Sequence, residues 1–458
     1  AYPKRRIPFY TASHSCSIVI LSQLPSFLTT AILALARSCR MRTAFLSLTF
    51  LQALLRLPML YGLSRLSSPS SLSRFAKQTS THRHNFFRIS ATKMSTTPQY
   101  YNREAFASKT SDSFKDSPIV KEARIVSLSF GGDVNNAPVE ATDETSELPD
   151  GARLLQVGGT LEDLDLGALK EEEANIVFLT PGVSSETLAG VIDAVPSLEW
   201  IHSRSAGVDT YMSKTLEESS DDLIMTNAKG AFSSTLAEYT MLAIGYFAKD
   251  LPRLMRNKQA SNWEKYCVEE IRGATLGVVG YGDIGRAAAK LAKAYGMKVI
   301  ALRRNVPSQE AIDADPCCDV VYGSDCLNQL FSESDYVLCA LPLTAESHKM
   351  IGKEQFDNAK EGCVFINVGR GPIVDEPAMV EALKDGRLKG AGLDVFTQEP
   401  LEEESELWTL DNVLLSPHNM DATETFMLES TQFFVRENLP RFLRGQTLLN
   451  PVDKKAGY

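Results

Sequence analysis

Apolar residues recur along this chain in two rhythms, and from about residue 122 onward the rhythms alternate. Residues 123–130, 176–179 and 198–202 are short apolar runs of strand length, and segments with helical spacing such as 184–194 stand between them. Strands alternating with helices predict parallel sheets covered on both faces, an α/β fold class. Residues 233–256 then read as one long helix, with Leu236, Tyr239, Thr240, Ala243, Phe247 and Leu251 along a single face. Further strand-length runs follow at 275–279, 297–302, 319–322, 336–341, 363–368, 390–395 and 413–415. No repeat at solenoid periods interrupts this order.

One turn in the pattern carries chemistry. Gly280-Tyr281-Gly282-Asp283-Ile284-Gly285 stands between the 275–279 run and the helix formers at 286–292. A strand, a glycine turn and a helix start are the context of a dinucleotide fingerprint. The first glycine makes the turn, and the second lets backbone N–H groups approach a pyrophosphate. The third packs the helix on the strand with its positive end toward the anion. Gly280, Gly282, Asp283, Ile284 and Gly285 are therefore expected to bind a cofactor on a doubly wound, Rossmann-type sheet. An acidic residue is expected about twenty positions further on, to accept hydrogen bonds from the ribose of NAD. The second strand ends instead in Arg303-Arg304-Asn305. Guanidinium binds phosphate bidentately and keeps its charge, so these residues favour NADP(H), with NAD(H) still admitted.

Charge separates the chain into two parts. Residues 1–103 hold 14 Lys and Arg and no acid, which leaves 33 of the 47 basic residues against all 57 acidic ones. The acidic body argues against nucleic acid as a partner. The leader, rich in Ser, Arg and Leu, has the composition of an organelle-targeting presequence, for a plastid or a mitochondrion. Met41 opens a signal-like stretch, residues 18–36 are a weak membrane-span candidate, and residues 64–93 resemble a transit segment. If translation starts at Met94 the protein is cytosolic; in either case no membrane association of the mature form is expected. Because the first residue is Ala1 rather than Met, residues 1–40 read as sequence upstream of the true start, and 100–118 as a flexible connection. The eight cysteines form neither a C-x-x-C nor a His/Cys cluster, so no metal site is expected and the thiols read as buried and free.

Three polar islands follow the fingerprint, each at the carboxyl end of a predicted strand, where open α/β sheets bind ligands. They are Asn367-Val368-Gly369-Arg370-Gly371-Pro372, Asp394-Val395-Phe396 with Glu399-Pro400-Leu401, and Ser416-Pro417-His418-Asn419. Arg, Glu and His on successive strand ends of one nucleotide-binding sheet supply the groups needed to reduce a 2-oxo acid. A protonated imidazole donates the proton, a carboxylate keeps it cationic, and a guanidinium stabilises the growing oxyanion.

In this order and spacing, the fingerprint, Asn-Val-Gly-Arg-Gly, Gly-Leu-Asp-Val-Phe with Glu-Pro, and Ser-Pro-His resemble the D-isomer-specific 2-hydroxyacid dehydrogenases, from about Ala123 to Pro451. The resemblance implies a Rossmann cofactor domain, residues 231–419, inserted into a flavodoxin-like substrate domain, residues 118–230 completed by 420–451. It implies that Arg370 binds the substrate, His418 donates the proton and Glu399 pairs with His418. Asp394 would hold the nicotinamide carboxamide, with Leu341, Pro342 and Val368 lining the cofactor. The backbone of Ser205, Ala206 and Gly207 would hold the substrate carboxylate. Small substrates of the glyoxylate or hydroxypyruvate type are expected. A homodimer is expected as well, with the long helix from Ser233 as its contact surface.

The chain departs from the family at two places. Asn419-Met420-Asp421 follows His418 where many relatives carry small residues, and Arg204 enters the substrate loop. Arg204 reads either as a contact to a second anionic group of the substrate or as a surface salt bridge. With no regulatory domain after Arg444-Gly445, the feedback-regulated form of phosphoglycerate dehydrogenase is not expected. Formate dehydrogenase fits less well, since it pairs Gln with its histidine. An NAD(P)-dependent corepressor-like sensor is the alternative from another class. The leader argues against its nuclear role, and the double arginine argues against tuning to NAD.

Overall fold

The structure, a computed structural model, describes residues 117–129, 148–423 and 426–458. The expectations for the leader lie outside these residues. The chain divides into two units, Ala1–Tyr100 and Tyr101–Tyr458, and all described residues belong to the second.

The first sheet is parallel and contains β1 (Ala123–Leu128), β2 (Ala152–Gly158), β3 (Ile176–Leu179), β4 (Trp200–Ser203) and β5 (Ile224–Asn227). Its strand order, β2-β1-β3-β4-β5, is the flavodoxin-like winding. β3 and β4 are buried along their whole length, as parallel strands covered on both faces must be. One face packs around Leu128, Leu179, Leu188 and Ile201. The other receives the end of the chain: Phe434, Leu439, Phe442 and Leu443 pack on Ile125, Phe178 and Trp200. The ring of Phe434 lies 4.6 Å from that of Phe178 and 5.0 Å from that of Trp200. The N–H of Val452 donates to Met225 O at 2.8 Å, so the returning chain also covers the outer edge of β5.

The second sheet is also parallel: β6 (Thr275–Val279), β7 (Lys298–Leu302), β8 (Val320–Tyr322), β9 (Tyr336–Cys339), β10 (Val364–Asn367), β11 (Gly390–Leu393) and β12 (Val413–Leu415). Its order, β12-β11-β10-β9-β6-β7-β8, reverses direction between β6 and β9. That reversal is the switch point at which doubly wound sheets open a crevice beyond their carboxyl ends. Cys339 and Cys363 are buried free thiols. Among the described residues no helix is long and apolar enough to cross a membrane.

The structure corrects the sequence reading in two ways. The long helix expected over 233–256 is two helices, Ser233–Ala248 and Leu251–Gln259. Asp250 separates them in a left-handed conformation, φ 48°, and its carboxylate caps the second helix by accepting from Arg253 N–H. Pro252, which has no N–H to donate, sits in the first turn of that new helix, where none is needed. The apolar stripe of the first helix packs on the second sheet, with Leu236, Tyr239, Ala243 and Phe247 buried against Leu276 and Val364. The second correction concerns β2 and β5, which the sequence did not announce. Both are edge strands, and the mixed exposure of β2 blurs its apolar run.

Candidate active site

The glycine turn behaves as the fingerprint requires. Gly280 has φ +100°, and a Cβ there would stand 2.8 Å from Ala340 O. Nothing lies within 4 Å of the space a Cβ on Gly282 would fill, so that face stays open to a ligand. A Cβ on Gly285 would overlap the Gly280 carbonyl, so only glycine lets the helix Asp283–Ala294 sit this close to β6. The helix begins at Gly282 and aims its N-terminus into a cleft of about 1150 Å³. That volume is slightly above the roughly 300–1,000 Å³ usual for ligand sites. These features fit a dinucleotide: an open backbone nest, a positive helix end and room for an extended ligand.

Asp283 and Ile284 line the cleft at the turn, and Asp283 faces Lys229 at 3.8 Å. Leu341 and Pro342, just beyond β9, and Val368, just beyond β10, line it further along. Arg303 and Arg304 stand at the end of β7 and reach the same cleft. Arg304 is ion-paired with Glu346 and donates to Tyr458 Oη at 2.7 Å. Arg303 is exposed and has no side-chain partner among the described residues. Tyr458 and Glu346 carried no sequence signal, because they lie far along the chain from the arginines that they meet.

At the other end of the cleft stand Arg370, Asp394 and His418, each beyond the carboxyl end of one of three neighbouring strands, β10 to β12. His418 Nδ1 lies 2.7 Å from Glu399 Oε2, and Glu399 Oε1 accepts from Phe396 N–H at 2.9 Å. Glu399 does not line the cleft; it supports the imidazole from behind. The hydrogen bond to Glu399 raises the His418 pKa above the usual imidazole value. Burial opposes that rise, the Glu399 charge adds to it and Arg370 works against it. Burial pushes the Glu399 carboxyl up, but the hydrogen bonds from His418 and Phe396 N–H, with both cations, hold it below its ordinary value. His418 has φ 49°, a left-handed backbone rare for side chains with a Cβ, and such strain concentrates at functional sites. Asp394 accepts from Ser416 Oγ at 2.7 Å and from Asn419 N–H at 3.1 Å, and burial raises its pKa.

Arg370 reaches across the cleft. Its Nε donates to Asp209 at 3.1 Å and its Nη2 lies 3.0 Å from the same carboxylate, in the loop after β4. A Cβ on Gly207 would overlap Arg370 Nη2, so glycine is required for the guanidinium to lie there. The N–H groups of Ala206 and Gly207 donate to no other described group, and Ser205 lines the cleft beside them. Asp209 carried no signal in the sequence, because its partner Arg370 lies 161 positions further along the chain. Arg204 is neither a substrate contact nor a surface charge. Only 1% exposed, it donates to Met427 O at 2.8 Å and to Thr180 Oγ1 at 3.3 Å, and burial lowers its pKa to about 10. It ties the loop after β4 to the helix Phe426–Phe433.

Comparison with known proteins points the same way. A family model described as D-isomer specific 2-hydroxyacid dehydrogenase, NAD binding domain, matches residues 241–419. A glyoxylate reductase of Korarchaeum cryptofilum is 32% identical over 297 residues, which cover 63% of this chain and 85% of that protein. A D-3-phosphoglycerate dehydrogenase of Methanocaldococcus jannaschii is 31% identical over 66% of this chain, but the match spans only 57% of that protein's length. Among solved structures, an NADPH-dependent glyoxylate/hydroxypyruvate reductase of Sinorhizobium meliloti, in complex with NADP and sulfate, superposes with a TM-score of 0.59. It is 25% identical and covers 74% of this chain and 100% of that one.

Proposed function

The chain belongs to the D-isomer specific 2-hydroxyacid dehydrogenase family, and from that premise we propose that it reduces small 2-oxo acids of the glyoxylate or hydroxypyruvate type with NADPH. The observation that carries this reading is the His418–Glu399 pair at 2.7 Å, set beside Arg370 in the cleft that opens at the switch point. The reduced nicotinamide supplies the hydride when bound. The Gly280–Gly285 turn holds its pyrophosphate, Arg303 and Arg304 the additional phosphate of NADP, and Asp394 its carboxamide.

The protein's own groups do the rest. The free N–H groups of Ala206 and Gly207 and the Arg370 guanidinium take the substrate carboxylate, which fixes the keto carbon in the cleft. Negative charge then grows on the keto oxygen, and Arg370 stabilises it. His418, held cationic by Glu399, delivers its proton to that oxygen. In the reverse direction the neutral imidazole accepts it.

The same reading extends to assembly. Leu242, Leu254, Met255, Trp263 and Val268 are exposed along and just after the helices Ser233–Ala248 and Leu251–Gln259, with Trp263 at 92%. Apolar side chains gathered in this way suit a contact with a second copy of the chain, and so a homodimer. The acid-free leader directs the chain to a plastid or mitochondrion, which a fluorescent fusion to residues 1–103 tests. For activity, the purified protein is assayed with NADPH and NADH against glyoxylate, hydroxypyruvate and pyruvate. Oxidation of NADPH with glyoxylate or hydroxypyruvate is expected. Failure with every acid and both cofactors removes the reading.

A further inference from the structure

Four carboxylates stand at or just behind the catalytic end of the cleft, and three are engaged by other groups, among them Asp394 by Ser416 Oγ and Asn419 N–H. Asp209 is paired with Arg370, and Glu399 with His418. The remaining one, Asp421, lines the same cleft as Arg370 and His418; its carboxylate accepts from its own backbone N–H and feels the charges of His418 and Arg370, but it makes no direct hydrogen bond or ion pair with another side chain among the described residues. It lies three residues beyond the proton donor, in a loop held by His418 N–H to Ser416 O and Thr423 N–H to Asp421 O. Arg370 and His418 are each bonded to another carboxylate, so the approaching substrate meets an Asp421 carboxylate that neither of them engages directly.

We propose that Asp421 selects among substrates by what they carry at C3, accepting a hydroxyl donor there and rejecting a second anionic group. This rests on the 2-oxo acid reductase reading above and names the substrate class of that site. A monoanion places its one carboxylate on Arg370 and the Ala206 and Gly207 N–H groups. A hydroxyl at C3 then donates to the Asp421 carboxylate. A carboxylate or phosphate at C3 would face Asp421 as a like charge. Burial pushes the Asp421 carboxyl above its usual pKa while His418 and Arg370 pull it down, so a donor that satisfies it restores part of its lost solvation.

The test compares ratios within each protein. Wild type, Asp421→Asn and Asp421→Ser are assayed on hydroxypyruvate, glyoxylate and phosphohydroxypyruvate. Binding of glycerate and of tartronate, which differ only in bearing a hydroxyl or a carboxylate at C3, is measured calorimetrically with NADPH present so that no turnover occurs. In wild type, kcat/KM for hydroxypyruvate is expected to exceed that for phosphohydroxypyruvate by about a hundredfold or more, and glycerate to bind more tightly than tartronate. Either variant is expected to narrow both ratios by about tenfold or more. Turnover with unchanged ratios in both variants overturns the assignment of Asp421 and leaves the reductase standing. No turnover with any acid overturns the reductase. In that case equal wild-type affinities for glycerate and tartronate dispose of the role of Asp421 as well.

Discussion

Replacing Glu399 with Gln removes a charge and keeps the shape, so it isolates what the carboxylate does for His418. Two opposite unit charges about 4 Å apart interact by about 4 kcal/mol at an effective dielectric constant near 20. The two side chains are 37% and 36% exposed, so solvent screens much of that. What remains is roughly 1–2 kcal/mol, and about 1.4 kcal/mol is a tenfold change in protonation equilibrium. The sign follows from the raised His418 pKa: reduction needs the imidazolium and is lost as pH rises through that value. Glu399→Gln therefore moves the alkaline limb of kcat/KM for reduction down by about one pH unit, and lowers the rate by about tenfold above that limb. Oxidation of the hydroxy acid needs the neutral imidazole, so its acid limb moves down as well and the variant gains relative rate at low pH. The amide has one acceptor oxygen where the carboxylate served both His418 and Phe396 N–H, so the position of each limb is the readout rather than the maximal rate. Steady-state profiles in both directions give the answer. Superimposable wild-type and variant profiles would refute the claim that Glu399 holds the proton on His418.

Three other outcomes follow from the geometry. Gly207→Ala places a methyl group where Arg370 Nη2 lies, so activity should fall by about a hundredfold or more while the melting temperature changes little. Near-normal kcat/KM would show that the guanidinium works from another position. Arg303→Ala should raise KM for NADPH by about tenfold or more and spare NADH, with a larger effect than Arg304→Ala, because Glu346 already occupies Arg304. Equal effects on the two cofactors would sink that assignment. Phe434→Ala empties a fully buried site against Phe178 and Trp200 and should cost about 3–5 kcal/mol in chemical denaturation. A loss under about 1 kcal/mol would mean that the C-terminal segment does not hold the first sheet.

Much of the fold was legible because central parallel strands must be apolar throughout. Of the strands expected in the second sheet, each has a counterpart, from β6 to β12. The edge strand β2 escaped because it is covered on fewer sides and its residues need not be apolar, and β5 because two of its buried residues, Thr226 and Asn227, are polar. The break at Asp250 escaped because an apolar stripe runs on through a helix end, whereas the capping carboxylate and Pro252 act locally. At the site, Arg370, Glu399 and His418 could be named because each follows a strand that had to end there. Asp209, Tyr458 and Glu346 could not, since their parts depend on which loops face one another.

Local pattern thus determined where strands and helices form, where the chain turns on glycine, and which chemistry-bearing residues stand at strand ends. Those follow from side-chain periodicity and backbone sterics within a few residues. Only the tertiary structure decided how charges pair across the cleft. Arg370 finds Asp209 from 161 positions away, Arg304 meets Tyr458 from 154, and Arg204 is buried, where the sequence allowed either a substrate contact or a surface salt bridge. A charge keeps, shares or loses its field according to its neighbours and its access to water, and both are properties of the assembled fold.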